Sequence, residues 1–353
     1  MMAVSVAASN HMVVEQRSTT NRIPAFDFTK GVLVLFMVLY HWLNYFHGHQ
    51  GDVYKYLRFL TPSFIFITGF LISHVHFSKY GIGNPQLSKR LLVRGLKLLG
   101  VFILLNLMIA LLFPDSSIST IFFERSSFDN LNAIFISGNV YVERIGKTAA
   151  FTILVAISYL LISAAILSIV CKLFKYSFQV ACGLLLLSVL VLDLRGILIP
   201  NLELLTIGLL GVVLGYASGA QIQKIVSHPY AVALAYCAYL AAITFWGVPF
   251  PLVVVGVCLT VILIYIVGAK SGEPGRLRRP ILVLGRYSLF GYISQIAILQ
   301  VLHRVLIHFN FGLVVLGLSL VAGVALTIFS VEIVDRIRPK SAAVDRFYRA
   351  VFA

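Results

Sequence analysis

The chain has 353 residues, of which 59% are hydrophobic and only 12% charged, with a mean hydropathy of +0.95. That balance excludes a water-soluble globular domain of this size, in which roughly 25% of residues are charged. A net charge of +15 would point to nucleic acid in a soluble protein, but here the basic residues form short clusters between long apolar runs, so they orient helices in a bilayer and no nucleic-acid partner is expected.

Residues 1–21 hold a short apolar stretch, Met2 to Ala8, with no positive charge before it, followed by the polar run Asn10 to Asn21. This is a poor signal peptide and reads as a flexible cytoplasmic tail. From there on, runs of the ~20 apolar residues that a spanning helix needs recur at 27–46, 57–76, 92–113, 149–174, 178–194, 201–221, 229–246, 250–269, 282–307 and 312–334. The expected fold is therefore all-α, a polytopic integral membrane bundle of about ten transmembrane helices in one domain, 22–340, with a cytoplasmic C-terminal tail at 341–353.

The basic clusters agree with this count. Arg17 and Arg22 precede the first run; Lys79, Lys89, Arg90, Arg94 and Lys97 lie between or just inside the second and third; Lys172 and Lys175 separate the fourth and fifth. Lys224 follows the sixth, Lys270, Arg276, Arg278 and Arg279 separate the eighth and ninth, and Arg336, Arg338, Lys340, Arg346 and Arg349 follow the tenth. With ten spans all of these fall on one side, which places both termini in the cytoplasm. The opposite loops are near neutral. The longest, about 114–148, carries Phe122, Phe123, Glu124, Phe128, Asp129 and Glu143 and either caps an outward-facing pocket or lies at the interface.

Ionisable side chains inside spanning runs are costly and mark functional candidates. In the first run Asp27, Lys30, His41, Asn44 and Tyr45 share about a third of the helix circumference at ~100° per residue, and the residues between are apolar. Lys30 and His41, eleven positions apart, share a face with ~16 Å of rise between them. Lys30 would lie near the cytoplasmic interface and His41 deeper. The plainer alternative is a snorkelling lysine and a hydrogen-bonded packing histidine. Asp27, one turn before Lys30, neutralises it or joins the site. Thr68, Gly69, Asn106, Glu203, Ser288, Gln295, Gln300 and Glu332 are isolated polar or small positions that interhelical packing and hydrogen bonds explain; Glu203, near the outer end of the sixth run, is the one to test after His41. His47 and His49 flank Gly48 without a third ligand, and Cys171, Cys182, Cys237 and Cys258 all lie in apolar runs without metal or disulfide spacing, so neither a metal site nor a disulfide framework is expected.

Several stretches together resemble the membrane-bound acyltransferase-3 family. Arg22-Ile-Pro-Ala-Phe-Asp27 through Lys30-Gly31 to Tyr40-His41 is similar to the family's opening signature, a basic residue, ten residues, then His. Ser63-Phe-Ile-Phe-Ile-Thr68-Gly69-Phe70 resembles its Phe-rich Ser-Gly-Phe segment, with Thr68 in place of Ser. Lys89-Arg90-Leu-Leu-Val-Arg94 resembles its basic lead-in to the third helix, and Leu284-Gly285-Arg286-Tyr287-Ser288-Leu289-Phe290-Gly-Tyr292 its late segment. The order is right from about residue 22 to 334. Two positions depart: the family's Arg-x-x-Arg pair is here Arg90-x-x-x-Arg94 or Arg94-x-x-Lys97, and Gln295 stands where the late segment often has His. The glucan succinyltransferases and heparan-glucosaminide acetyltransferases are the subgroups most similar in outline.

The resemblance implies transfer of an acetyl or succinyl group from cytoplasmic acyl-CoA, a cosubstrate and no resident cofactor, to a hydroxyl or amine of a carbohydrate or glycolipid acceptor across the cell (inner) membrane. The residues suit that chemistry. His41 would serve as general base or as nucleophile, Lys30 would stand on the path to it, and Arg90, Arg94 and Lys97, at helical spacing, would hold the phosphates of the donor. Thr68 and Gly69 would let the second helix approach the donor. The rival is a membrane transporter or lipid translocase, which intramembrane charge on a ten-helix bundle suits as well; against it, the two halves of the chain show no duplication.

Overall fold

The structure, a computed structural model, describes residues 23–48, 52–112, 127–142, 146–147, 149–272, 275, 278–306 and 312–352. The expected tail 1–21, Phe122, Phe123, Glu124, Glu143 and His49 lie outside these residues.

The architecture is all-helical, apart from a two-residue antiparallel ladder pairing Tyr141–Val142 with Gly146–Lys147. Helix α1 (Pro24–Phe46) starts on Pro24, whose missing N–H costs nothing in a first turn. Next come a 3-10 turn at Asp52–Leu57 and helix α2 (Leu60–Leu71), which runs on through a π stretch, Ile72–Phe77, and a last turn at Ser78–Tyr80. Helix α3 is Pro85–Leu112, α4 the short Ser127–Leu131, α5 Ile153–Val170, α6 Ser177–Leu194, α7 Pro200–Leu214 and α8 Gly219–Val226. The remainder are α9 (Pro229–Trp246), α10 (Phe250–Lys270), α11 (Arg278–Arg286), α12 (Ser288–Leu306), α13 (Leu313–Ile337) and α14 (Ala342–Phe352).

Among the described residues nine spans are long and apolar enough to cross a bilayer, and α7 with α8 makes a tenth if that bent pair counts as one. This is a multi-pass membrane protein. Its exterior is hydrophobic where a soluble protein's would be polar: Leu104, Leu111, Leu187, Phe245, Val321 and Phe329 all stand exposed, as lipid requires.

Two expected spans differ from what is observed. The run 201–221 is not straight: α7 ends at Leu214 and α8 leaves at 105°, because Ser218 and Gln221 form a reciprocal capping box that starts a new helix. The run 282–307 is two elements, α11 and α12, that meet at Tyr287. Part of the long 114–148 loop is helical, and it is clamped where Asn201 donates to the Ile134 and Phe135 carbonyls (3.0 and 3.2 Å) and the Tyr159 hydroxyl donates to Phe135 (2.7 Å).

Helix α1 is the hub of the bundle. It runs antiparallel to α2, with Phe26 on Phe70 at one end (5.2 Å between ring centroids) and Phe36 on Phe59 towards the other (6.5 Å). It runs parallel to α12: a Cβ on Gly291 would meet Val34, and further along Tyr45 packs on His303 (5.9 Å). The N-terminal end of α1, the C-terminal end of α2 and the start of α12 are thereby gathered at one end of the molecule. Helix α14, formed by residues expected as a C-terminal tail, lies across the α11–α12 corner, with Tyr348 on Tyr287 and Phe352 on Phe290.

Candidate functional site

The stripe on α1 faces inward. His41 is buried at 8% exposure, and Lys30, one-fifth exposed, pairs with Asp27 at 2.8 Å. Asp27 therefore does neutralise Lys30, as its position one turn earlier suggests.

Lys30 lines an interior cavity of about 170 Å³ together with Thr68, His76, Arg94, Ser288 and Tyr292, and its remaining walls are leucine, isoleucine and phenylalanine. A second, more open groove of about 660 Å³ is lined by His76, Tyr80, Lys89, Arg90, Arg94 and Lys97 among others. His76, Leu91 and Arg94 border both, so the wide basic groove and the mostly apolar cavity adjoin at these three side chains. Arg94 stands at the junction, and it makes no ion pair among the described residues. Arg90 is differently engaged: it donates to the Tyr80 hydroxyl at 2.9 Å and lies 5.1 Å from that ring's centroid, a cation–π contact that fixes its direction.

His41 does not line the cavity. It stands behind Tyr292, which does, with the two ring centroids 6.1 Å apart. Tyr40 packs on His41 from its own helix at 5.3 Å. Ser288 opens α12, so the first turn of a long helix, where unpaired N–H groups favour negative charge, borders the cavity.

The sequence-level candidates thus divide. Lys30, Thr68, Arg94 and Ser288 meet at the inner cavity, Arg90 and Lys97 at the outer groove, and His41 one ring away. Thr68 satisfies its hydroxyl on the Phe64 carbonyl (2.8 Å), so it offers the cavity chiefly its methyl face. Gly69 faces away: a Cβ there would sit 2.0 Å from the Gly208 carbonyl oxygen of α7, so it serves the close approach of α2 and α7. Glu203 is in the first turn of α7, with Arg58 and Asp193 as its charged neighbours. That is the opposite end of the bundle from the basic groove.

Sequence reading missed His76, Tyr80 and Tyr292 as lining groups. His76 enters through the π stretch, which shifts the register of the last turns of α2 and is a feature frequent at functional sites. Tyr292 belonged to a quoted motif, but its place between cavity and histidine depends on α12 packing parallel to α1. Asn106, read as an interhelical hydrogen-bonder, instead joins α3 to the non-helical segment before α5 through Ala150. Gln295, one turn beyond Tyr292, is fully buried, and neither of its amide atoms finds a partner among the described residues.

Compared with known proteins, the chain matches no family model, no curated protein and no solved structure.

Proposed function

We propose that this protein is an integral-membrane acyltransferase that takes an acetyl or succinyl group from cytoplasmic acyl-CoA and passes it to a hydroxyl or amine of a carbohydrate or glycolipid reached from the other side of the cell (inner) membrane. The observation that carries this reading is a cation-lined groove adjoining, at Arg94, a largely apolar cavity that Tyr292 walls off from His41. An acyl-CoA has a matching polarity, with phosphates at one end and a slender thioester arm at the other. Its phosphates would meet Arg90, Arg94 and Lys97, and its arm would enter between Lys30 and the apolar walls. Two further features support the assignment: the ordered resemblance to acyltransferase-3 motifs, and the basic clusters, whose positive charge favours a cytoplasmic side for the groove.

In the proposed step, which requires the Tyr292 ring to shift from between the cavity and the imidazole, His41 takes the proton of the acceptor hydroxyl as its oxygen bonds to the thioester carbon. The carbon–sulfur bond then breaks, and the CoA thiolate leaves and receives the proton that His41 took. With His41 as nucleophile, its nitrogen would attack the thioester carbon and expel the CoA thiolate, and the acceptor oxygen would then attack that carbon, release the imidazole and pass its proton to it. Lys30, and the first-turn N–H groups of α12 beside Ser288, would favour negative charge in the cavity. Exclusion of water by the surrounding apolar side chains strengthens each of these interactions.

The bent pair α7–α8 favours a second reading, transport, because broken helices line substrate paths in many transporters. Purified protein in nanodiscs separates the two. CoA binding together with release of free thiol from acetyl- or succinyl-CoA supports the transferase; solute flux in liposomes with no CoA binding and no thiol release supports the transporter.

A further inference from the structure

Phe151 has φ +57° and is the one non-glycine residue with positive φ among the described residues. A bulky side chain in that region is strained, and such strain persists only where the surroundings impose it. The surroundings here are specific. Buried Asn106 donates to the Ala150 carbonyl at 3.1 Å and accepts the Ala150 N–H at 2.8 Å, which fixes the peptide plane on the N-terminal side of Phe151. On the other side the Phe151 carbonyl accepts the Leu154 N–H at 2.9 Å, opening α5. The residue is held from both directions.

What this conformation delivers is a ring. Phe151, 4% exposed, meets Tyr292 edge-on, with centroids 6.2 Å apart and planes at 81°. Tyr292 in turn packs on His41. We propose that Phe151 is a positioning residue: clamped by Asn106, its ring braces Tyr292 and through it sets the His41 imidazole behind the Tyr292 wall of the cavity. The catalytic part of this rests on the acyltransferase reading; the bracing of His41 does not. A leucine there would supply apolar bulk but no ring edge to set against Tyr292, so what the held backbone contributes is the direction of a planar ring.

The test uses Phe151→Gly, because glycine adopts positive φ without strain and so the substitution deletes the ring while leaving the backbone at ease. Protein in nanodiscs is treated with diethyl pyrocarbonate, and modification of the His41 peptide is followed by mass spectrometry alongside kcat and KM for acyl-CoA. With Phe151→Gly, His41 modification should speed up several-fold, and kcat should fall on the order of 10- to 100-fold, the cost of a misplaced catalytic group, while KM for the donor stays within about twofold of wild type because the groove is untouched. A folded variant that modifies His41 at the wild-type rate overturns the proposal. If the wild type turns over no acyl-CoA, the acyltransferase reading fails, and the modification rates still decide the bracing. Should the glycine variant not fold, Phe151→Leu, which keeps apolar bulk without a planar ring, carries the same two readouts.

Discussion

Replacing Arg94 with methionine separates a donor-binding role from a purely topological one. The residue borders both the open groove and the inner cavity and makes no ion pair among the described residues. Its removal therefore orphans no carboxylate, and the unbranched apolar stem of methionine replaces most of its packing. Stability should change little. Its loss would be felt by an anion. A charge-assisted hydrogen bond to phosphate is worth about 1.5–3 kcal/mol, which corresponds to a roughly 10- to 150-fold weaker Kd for CoA. The assay is equilibrium titration of CoA into nanodisc-embedded protein, repeated across salt concentrations, with Lys224→Met beside it. Lys224, in the last turn of α8, is basic but lines neither groove nor cavity, so its variant should bind CoA as the wild type does. If Arg94→Met and Lys224→Met leave CoA affinity equally unchanged, the groove is basic only because its side of the membrane is, and it loses its donor.

Three other outcomes follow from the geometry. His41→Ala should lower kcat for thioester cleavage by about 10²- to 10⁴-fold, the usual contribution of a general acid–base group, with CoA affinity within twofold in the same titration. Gly69→Leu should lower Tm and promote aggregation in detergent, since even a Cβ would lie 2.0 Å from the Gly208 carbonyl oxygen and overpacking of that kind costs about 1–3 kcal/mol; a wild-type melting curve would mean that α2 and α7 do not meet at this glycine. The docking of α14 should be acid-sensitive. Asp345 accepts hydrogen bonds from Arg338 (2.6 Å) and Arg349, which hold its carboxyl below the usual value. The stability it lends is therefore complete above the unfolded carboxylate pKa of about 3.9 and is lost as pH falls through the lower folded value. A nitroxide on Phe347→Cys should stay immobilised at pH 5–7 and loosen only in stronger acid, whereas Asp345→Asn should loosen it at every pH.

How much of this was legible in the sequence varies by residue. Lys30 and His41 on one inward face follow from eleven positions at helical spacing, and the apolar surface follows from composition. Arg94 could be placed at the basic end of α3, but not at the junction of groove and cavity, which requires the His76 end of α2 to border the same space. The bend after Leu214 escaped a hydropathy reading because Gly215 to Ser218 is too short and too apolar to interrupt a run; the Ser218-x-x-Gln221 box was the available signal. The break at Tyr287 had a weaker one, in the Arg278-Arg279-Pro280 start of α11. Gly69 looked like a donor-side residue because its partner, Gly208, is more than a hundred positions away. The left-handed backbone at Phe151 has no sequence signature at all, since tertiary hydrogen bonds from Asn106 impose it against local preference.

The central claim is that acyl-CoA held in the basic groove and the cavity beside it is cleaved with the help of His41. It is tested most directly by reconstituting wild type and His41→Ala in proteoliposomes, supplying labelled acetyl- and succinyl-CoA to the face bearing Arg90, Arg94 and Lys97, and following thiol release and label transfer. Thiol release by the wild type should require donor on that face and collapse in His41→Ala; release by both proteins alike, or by neither with CoA unbound, would contradict the assignment.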